Sequence, residues 1–315
     1  MERPRAEYLK LKRMSDRITE KTVHSAVIAL GYFDSVHVGH RAVINRAGEL
    51  AEKLSANLAV FTFSGNLRAA INGGEEKFVY SAAEREEILR SLGAKEVIFA
   101  PADRTFLDTD KRDFLAGLCE KYNAAGFACG KDYRFGKGGE GNAEYLKEYA
   151  AQRGLAAVIA DTVLLGGEKV STTGIKALLA AGDVRAANVR LGSPFFIGGK
   201  VLSGRKVGRK LGFPTVNILP EKDKQPLKEG VYAGFSVIDG KRLPAIINYG
   251  ARPTYGLFGV VAEAHLIGYE GDLYGKYIRI YFTGYMRGIK KFACEEELMR
   301  QLESDRTEVL SGKYD

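Results

Sequence analysis

An α/β domain followed by a small antiparallel β-barrel is the fold class this sequence predicts, and three observations carry it. In the first half, apolar, β-branched runs alternate with helix-like segments, a pattern that specifies a parallel sheet with helices on both faces. After about residue 190, short strand-like runs succeed one another with turn residues between them, as in a small antiparallel barrel. A final stretch, Glu295–Leu310, reads as a helix whose Leu298, Leu302 and Val309 cover an open side of that barrel. A chain of 315 residues is longer than most single domains. The boundary is expected between residues 187 and 188, giving domains 1–187 and 188–315.

The strands of the first half are expected at Ala26–Leu30, Leu58–Phe63, Glu96–Ala100, Ala125–Gly130 and Ala156–Ala160. Helices are expected at Arg41–Leu54, Ala82–Leu92, Lys111–Tyr122 and Asn142–Arg153, with Ile44, Ala47, Ala51 and Leu54 sharing one face of the first. Ile175–Ala187 reads as one further helix. The barrel strands are expected at Phe195–Leu202, Pro214–Leu219, Gly230–Ile238, Leu243–Asn248, Val260–Ile267 and Tyr277–Phe282.

Composition narrows the function classes. No apolar run approaches the roughly 20 residues that span a bilayer. The charged N-terminus lacks the apolar core of a signal peptide, so a cytoplasmic location is expected. Cys119, Cys129 and Cys294 are few, odd in number and scattered, which argues against a disulfide framework or a zinc site. The net charge of +8 suits nucleic acid or anionic small ligands such as nucleotides. The basic residues are dispersed. Their densest cluster, Arg3, Arg5, Lys10, Lys12, Arg13 and Arg17, reads as a solvated extension, so no nucleic-acid partner is expected.

Four segments carry chemistry. The first is Gly31-Tyr32-Phe33-Asp34-Ser35-Val36-His37-Val38-Gly39-His40, between the first strand and the first helix. A helix N-terminus attracts phosphate, glycine admits close backbone approach, and two imidazoles can donate to charge developing on a phosphoryl group. The chain has only four histidines, and two are here; helix capping or core packing is the plainer alternative. The second is Ser171-Thr172-Thr173-Gly174-Ile175-Lys176, whose hydroxyls open a helix and whose lysine adds a cation, although alone it reads as an ordinary N-cap. The third is Gly130-Lys131-Asp132-Tyr133-Arg134-Phe135-Gly136, a loop whose aromatics can lie on a flat ring and whose arginine can meet a phosphate, or else a surface loop with aromatics tucked beneath it.

The fourth segment runs from Gly199 to Asn217 through Val201, Gly204, Gly208, Arg209, Gly212, Pro214 and Thr215. Its glycines and cations suit a polyphosphate. Thr215 and Asn217 share one face of a strand and offer oxygen ligands to a hard cation such as Mg²⁺. In Val260–Ile267, the face with Val260, Ala262, Ala264 and Leu266 is apolar and should enter the core. Glu263 and His265 then share the other face, where a carboxylate can take a proton from an alcohol or simply be solvated.

Taken together these segments resemble the bacterial bifunctional riboflavin kinase/FMN adenylyltransferase family, over nearly the whole chain from about Val27 to Asp305. The stretches GRKLGFPTVNI, GVYAG, NYGARPTYG, AEAHLIG and DLYGKYIRIYF are its most specific part. The resemblance implies a Rossmann-like nucleotidyltransferase domain, then a barrel riboflavin kinase domain with a C-terminal helix. It implies phosphorylation of riboflavin to FMN and adenylylation of FMN to FAD, with ATP and Mg²⁺ required. It places His37 and His40, with Gly31, Phe33, Asp34, Gly39, Ser171, Thr172, Thr173 and Lys176, on ATP in the first domain, and Phe63, Asp132, Arg134 and Phe135 on its flavin. In the kinase domain it places Gly199, Val201, Gly204, Gly208, Arg209, Gly212, Pro214, Thr215 and Asn217 on ATP, with Thr215 and Asn217 also on Mg²⁺. Glu263 would be the general base, and Arg287 would lie in a flavin-covering segment. Riboflavin, FMN and ATP are the partners implied, with a monomer or weak homo-oligomer expected.

The sequence departs from the family pattern at Ser35, where glycine is usual, and at Lys176, where arginine is. It departs also at Ser64-Gly65-Asn66-Leu67, where a proline-rich turn is usual, and at Tyr133, Gly268 and Ile289. Two alternatives follow: a riboflavin kinase whose first domain binds nucleotide or flavin without efficient adenylyl transfer, and a nucleic-acid-binding regulator using the basic N-terminus.

Overall fold

The computed structural model describes residues 24–65, 67–73, 77–202, 213–251 and 260–314. The basic N-terminal residues lie outside that range, as do Gly204, Gly208, Arg209 and Gly212. The elements of the first half are β1 (Ala26–Leu30), α1 (Val38–Lys53), β2 (Asn57–Phe63), α2 (Leu67–Asn72), α3 (Ala82–Ser91), β3 (Glu96–Ala100), α4 (Arg104–Leu107), α5 (Lys111–Tyr122), β4 (Ala124–Gly130), α6 (Ala143–Ala151) and β5 (Ala156–Ala160). A short hairpin, β6 (Leu164–Leu165) and β7 (Glu168–Lys169), precedes α7 (Thr172–Ala181) and α8 (Val184–Leu191). The barrel strands are β8 (Phe195–Leu202), β9 (Thr215–Ile218), β10 (Gly230–Ile238), β11 (Lys241–Ala251), β12 (Val260–Leu266) and β13 (Tyr277–Arg287), and α9 (Glu295–Leu310) follows.

β1 is central in a parallel sheet ordered β3-β2-β1-β4-β5. All of β1 is buried because its side chains serve two layers: Ala26, Ile28 and Leu30 enter one hydrophobic cluster, and Val27 and Ala29 the other. Full burial on both faces is what a doubly covered parallel strand requires. The carboxyl ends of β1, β2 and β4 therefore form one edge, where ligands of such sheets bind.

The second sheet closes as a barrel in the order β10-β11-β12-β9-β8-β13. Ala262, Ala264 and Leu266 lie in its core, as their alternation predicts. The expected open side is absent: the barrel is closed, and α9 lies outside it, with Val309 packed on Val231, Ile246 and Ile267.

Other expectations are corrected in detail. The single helix expected at Ile175–Ala187 is two, because Gly182 adopts a left-handed φ of 84° and the Asp183 side chain caps the next helix. The expected boundary after Ala187 falls inside α8, whose Val184, Ala187 and Leu191 join the barrel's hydrophobic cluster. Leu54 ends α1 as its C-cap and is exposed rather than buried with Ile44, Ala47 and Ala51. β11 and β13 each run several residues beyond their expected ends, so Met286 and Arg287 are strand.

Candidate active sites

The first candidate site is built where β1 hands over to α1. Phe33 and Val36 both adopt left-handed φ values, 43° and 42°, which are uncommon for a bulky side chain and costly for a β-branched one. Strain of this kind at the carboxyl edge of a sheet holds a loop in one shape. Gly31 makes room for it: a Cβ there would lie 2.5 Å from the Phe33 ring. His37 is the N-cap of α1, its Nδ1 accepting the His40 N–H at 3.1 Å. The two imidazoles stack, centroids 3.6 Å apart and planes 15° from parallel. Gly39 permits the stack, since a Cβ at that position would come within 3.0 Å of His37 Cε1. The spacing of the motif is thus explained by one folded pair of rings.

Burial decides the charge of that pair. It pushes His37 down to about 4, and it pushes His40 well below the ordinary histidine value, with the neighbouring His37 acting in the same direction. Both imidazoles are neutral at neutral pH. Because His37 Nδ1 accepts a hydrogen bond, its single proton sits on Nε2, which makes that atom a donor. His40 Nδ1 is enclosed and has no hydrogen-bond partner.

The second motif folds against the first. Ser171 caps α7 by accepting the Gly174 N–H at 3.2 Å. Thr172 Oγ1 lies 2.9 Å from Ser35 Oγ, and Lys176 Nζ lies 3.1 Å from Asp34 Oδ2. Asp34 is fully buried, and its Oδ1 accepts the Val79 N–H at 2.8 Å. Burial raises the Asp34 carboxyl, while Lys176 pulls it down. The two departures from the family pattern, Ser35 and Lys176, are therefore the residues that clasp the two motifs together. At the third, the Ser64 N–H and hydroxyl both bond the Ala100 carbonyl, at 2.8 and 3.2 Å; Asn66 lies outside the described residues.

Several expected ligand contacts are placed elsewhere. Phe33 is 1% exposed and Asp34 0%, so both support the loop from beneath instead of facing a ligand with their side chains. Phe63 and Phe135 are buried in the aromatic core, Phe63 against Tyr32 and Phe106, Phe135 against Phe114, Tyr133 and Tyr145. The plainer reading of that loop, aromatics tucked beneath, holds for Phe135. Asp132 and Arg134 are exposed at the end of β4. Asp132 pairs with Lys169 and is close enough to His37 to favour its protonated form.

The second candidate site lies on the outer face of the barrel. β9 and β12 pair Asn217 with Glu263 and Thr215 with His265. Thr215 Oγ1 donates to Glu263 Oε1 at 2.7 Å. Asn217 is buried, yet its Oδ1 has no hydrogen-bond partner. A buried amide oxygen without a partner is costly, and beside a threonine hydroxyl it suits a hard cation. His265 Nδ1 lies 2.9 Å from the Pro214 carbonyl, so it is the donor there, and burial lowers its basicity. Pro214 itself is exposed. Leu202, the last residue of β8, pairs with Asn217.

Gly199 and Val201 serve the barrel itself. A Cβ on Gly199 would lie 2.5 Å from Ile218 Cγ2, and Val201 is a core side chain. Arg287 is also committed: its Nε and Nη2 donate to Asp305 at 3.1 and 2.6 Å. That bidentate pair fastens α9 to β13.

Sequence reasoning missed the buried charged groups of α3. Arg85 is fully buried, donates to the Phe63 carbonyl at 2.9 Å and lies over the Phe78 and Phe99 rings. Next to it, Glu84 forms a buried ion pair with Lys224. The capping box from Ser81 to Glu84 was legible in S-x-x-E, but a charged helix reads as solvated, and nothing local shows that α3 is covered by the barrel. Among the described residues no group of three or more His, Cys, Asp or Glu could hold a metal.

Known proteins match both halves. The family model for FAD synthetase matches residues 19–174, and that for riboflavin kinase matches 191–311. A bifunctional riboflavin kinase/FMN adenylyltransferase from Escherichia coli K12 is 31% identical over 300 residues, covering 94% of this chain and 96% of that protein. One of the same description from Pseudomonas fluorescens is 33% identical, covering 89% and 90%. A crystal structure described as a macrolide-efflux protein from Streptococcus pneumoniae superposes with a TM-score of 0.81 at 27% identity, covering 93% and 95%.

Proposed function

The chain belongs to the bifunctional riboflavin kinase/FMN adenylyltransferase family, and on that premise we propose how its residues divide the two reactions. The barrel half transfers the γ-phosphoryl of ATP to the 5′-hydroxyl of riboflavin, giving FMN and ADP. The first half joins FMN to the AMP part of ATP, giving FAD and pyrophosphate. The observation that carries this reading is that the two family models tile the chain, each over one assembled site.

In the kinase half, Glu263 takes the proton of the riboflavin hydroxyl as its oxygen attacks phosphorus, since an alcohol is a weak nucleophile. The Thr215 hydroxyl holds that carboxylate at 2.7 Å. Thr215 and Asn217 would hold Mg²⁺, which supplies positive charge to the phosphate oxygens. The unpartnered Asn217 Oδ1 fits this role.

In the first half no base is needed, because the FMN phosphate is already ionised. Its oxygen attacks the α-phosphorus of ATP, and pyrophosphate leaves. The N–H at His37 Nε2 and the N-terminus of α1 stabilise the charge that develops there, and Lys176 and the α7 N-terminus add to the positive field. Asp132 and Arg134 are the exposed candidates for flavin contact. The cytoplasm and a monomeric or weakly associated state complete the proposal. Among the described residues no helix is long and apolar enough to cross a membrane.

Incubation with riboflavin, ATP and Mg²⁺, followed by chromatography of the flavins, tests the reading. FMN followed by FAD is expected. FMN alone would support the kinase-only alternative, and neither product would overturn the functional assignment.

A further inference from the structure

The buried ion pair between the halves sits at the centre of a continuous set of bonds. Glu84, in α3 of the first half, is 2% exposed, and Lys224, in the second, is 5% exposed. Glu84 Oε2 meets Lys224 Nζ at 2.5 Å and accepts the Ser81 N–H at 2.9 Å. Its Oε1 accepts the Gly198 N–H at 3.0 Å, in the middle of β8. Lys224 Nζ also donates to the Val79 carbonyl at 3.2 Å. The Val79 N–H is held by Asp34, and Asp34 faces Lys176. The segments run together here: Phe78 N–H bonds the Asp223 carbonyl at 2.8 Å, and Gln225 N–H bonds the Phe78 carbonyl at 2.6 Å. The Lys224 ammonium lies over the Tyr80 and Phe195 rings, 5.0 Å from each centroid.

A second tie runs parallel to the first. Arg41 of α1 donates through Nε to the Val36 carbonyl, in the histidine loop, and to the Leu191 carbonyl, and through Nη2 to Ser193 Oγ, just ahead of β8. Thus the residues just ahead of β8 are tied through Arg41 to the loop that carries His37. The histidine loop in turn reaches Lys224 of the other half through Asp34 and Val79.

We propose that Glu84 and Lys224 are positioning residues that act across the halves: Glu84 sets β8, and with it the paired strand β9 that carries Thr215 and Asn217, while Lys224 sets Val79 and, through Asp34 and Lys176, the nucleotide site of the adenylyltransferase. Neither touches a substrate; each holds the backbone on which the other half's site is built. The proposal rests on the division of activities given above. It predicts that a substitution in one half changes nucleotide binding in the other.

Paired variants test it, because removing one partner alone leaves a charge buried and unpaired, which destabilises strongly. In Glu84→Gln with Lys224→Met the amide oxygen still accepts the Gly198 N–H, but the Ser81 N–H loses its acceptor and the Val79 carbonyl its donor, both in the first half. The ATP KM of adenylyl transfer should rise ~10-fold with kcat little changed, while the kinase KM stays within about twofold, the signature of lost binding without lost chemistry. In Glu84→Leu with Lys224→Met the Gly198 N–H also loses its acceptor, and the kinase KM for ATP should then rise as well. Unchanged KM values in both pairs, or equal falls in both kcat values at constant KM, would reduce the ion pair to a structural role and overturn the proposal. If the Leu pair fails to fold, the Gln pair alone decides. ATP affinity by titration calorimetry reads the same split without turnover. A wild-type chain silent in one reaction would then count against the functional assignment and leave this inference to be decided by affinity.

Discussion

At the end of β1, ten consecutive residues supply both histidines, the cap of α1 and the carboxylate that reaches the second motif. In the barrel, Thr215 and Glu263 meet across 48 residues of sequence, through strand register alone. The first site is enclosed: His37 is 7% exposed, and burial keeps both imidazoles neutral. The second is a half-buried face, with Glu263 in contact with a hydroxyl. The contrast teaches that the two transfers ask for different things. Adenylyl transfer to an ionised phosphate needs neutral donors held rigidly, and strain with burial provides them. Phosphoryl transfer to an alcohol needs a base within reach of the hydroxyl, and a half-buried face leaves Glu263 accessible to one.

The sharpest way to break this contrast is to remove the base. Glu263→Gln should lower riboflavin phosphorylation by about 10³-fold, the range of general-base loss, and leave FAD formation from supplied FMN unchanged. Chromatography of the two reactions run separately checks it. A kinase rate near normal would remove Glu263 from the mechanism. The reciprocal variant, His37→Ala with His40→Ala, should lower FAD formation by ~10²-fold, as for loss of a charge-stabilising donor, with FMN formation retained. Equal loss in both reactions would show instead that the histidine loop acts through the fold.

A smaller effect compares the two sheets as scaffolds. A Cβ on Gly234 would lie 1.9 Å from the Tyr281 carbonyl oxygen, across the β10–β13 pair that closes the barrel. A Cβ on Gly126 would lie 2.8 Å from the Ala156 carbonyl oxygen, between β4 and the edge strand β5. Gly234→Ala should therefore destabilise by about 3 kcal/mol, and Gly126→Ala by about 1 kcal/mol, within the usual range for overpacking. Urea unfolding of both variants measures the difference. Equal losses would mean that the closed barrel yields as easily as the sheet edge.

What the sequence disclosed follows the same division. The histidine site was legible because its residues are contiguous and its glycines mark a strand-to-helix junction. Glu263 was legible because alternation along one strand assigns faces without knowledge of the neighbours. Strand order was not: nothing in Thr215–Ile218 says that it pairs with Val260–Leu266. Phe33, Asp34, Phe63 and Phe135 were assigned to ligands by the family resemblance, and their side chains are buried beneath the site. Arg287 was assigned likewise, and Asp305 of α9, 18 residues on, holds it. The Glu84–Lys224 pair was invisible for the same reason, since each charge looks solvated until the other half covers it.

The finest distinction concerns protons. The unfolded chain binds one at His37 near pH 6.5, and the folded chain takes it up only near pH 4. The unfolded state therefore holds more protons between those values, so stability falls as pH drops through that window, by up to about 3 kcal/mol in all. His37→Asn keeps a side-chain cap for the His40 N–H but cannot titrate. The loss of urea stability between pH 7 and pH 4.5 should consequently be smaller in that variant than in the wild type, by about 2 kcal/mol. Asp34, whose carboxyl is raised by burial, works in the opposite direction, but it is common to both proteins and cancels in the comparison. The barrel supplies the control, because Gly234→Ala changes no titratable group and should keep the wild-type difference across this window. Parallel acid profiles for wild type and His37→Asn would mean that His37 is not held neutral, and the enclosed, uncharged donor pair would lose its basis.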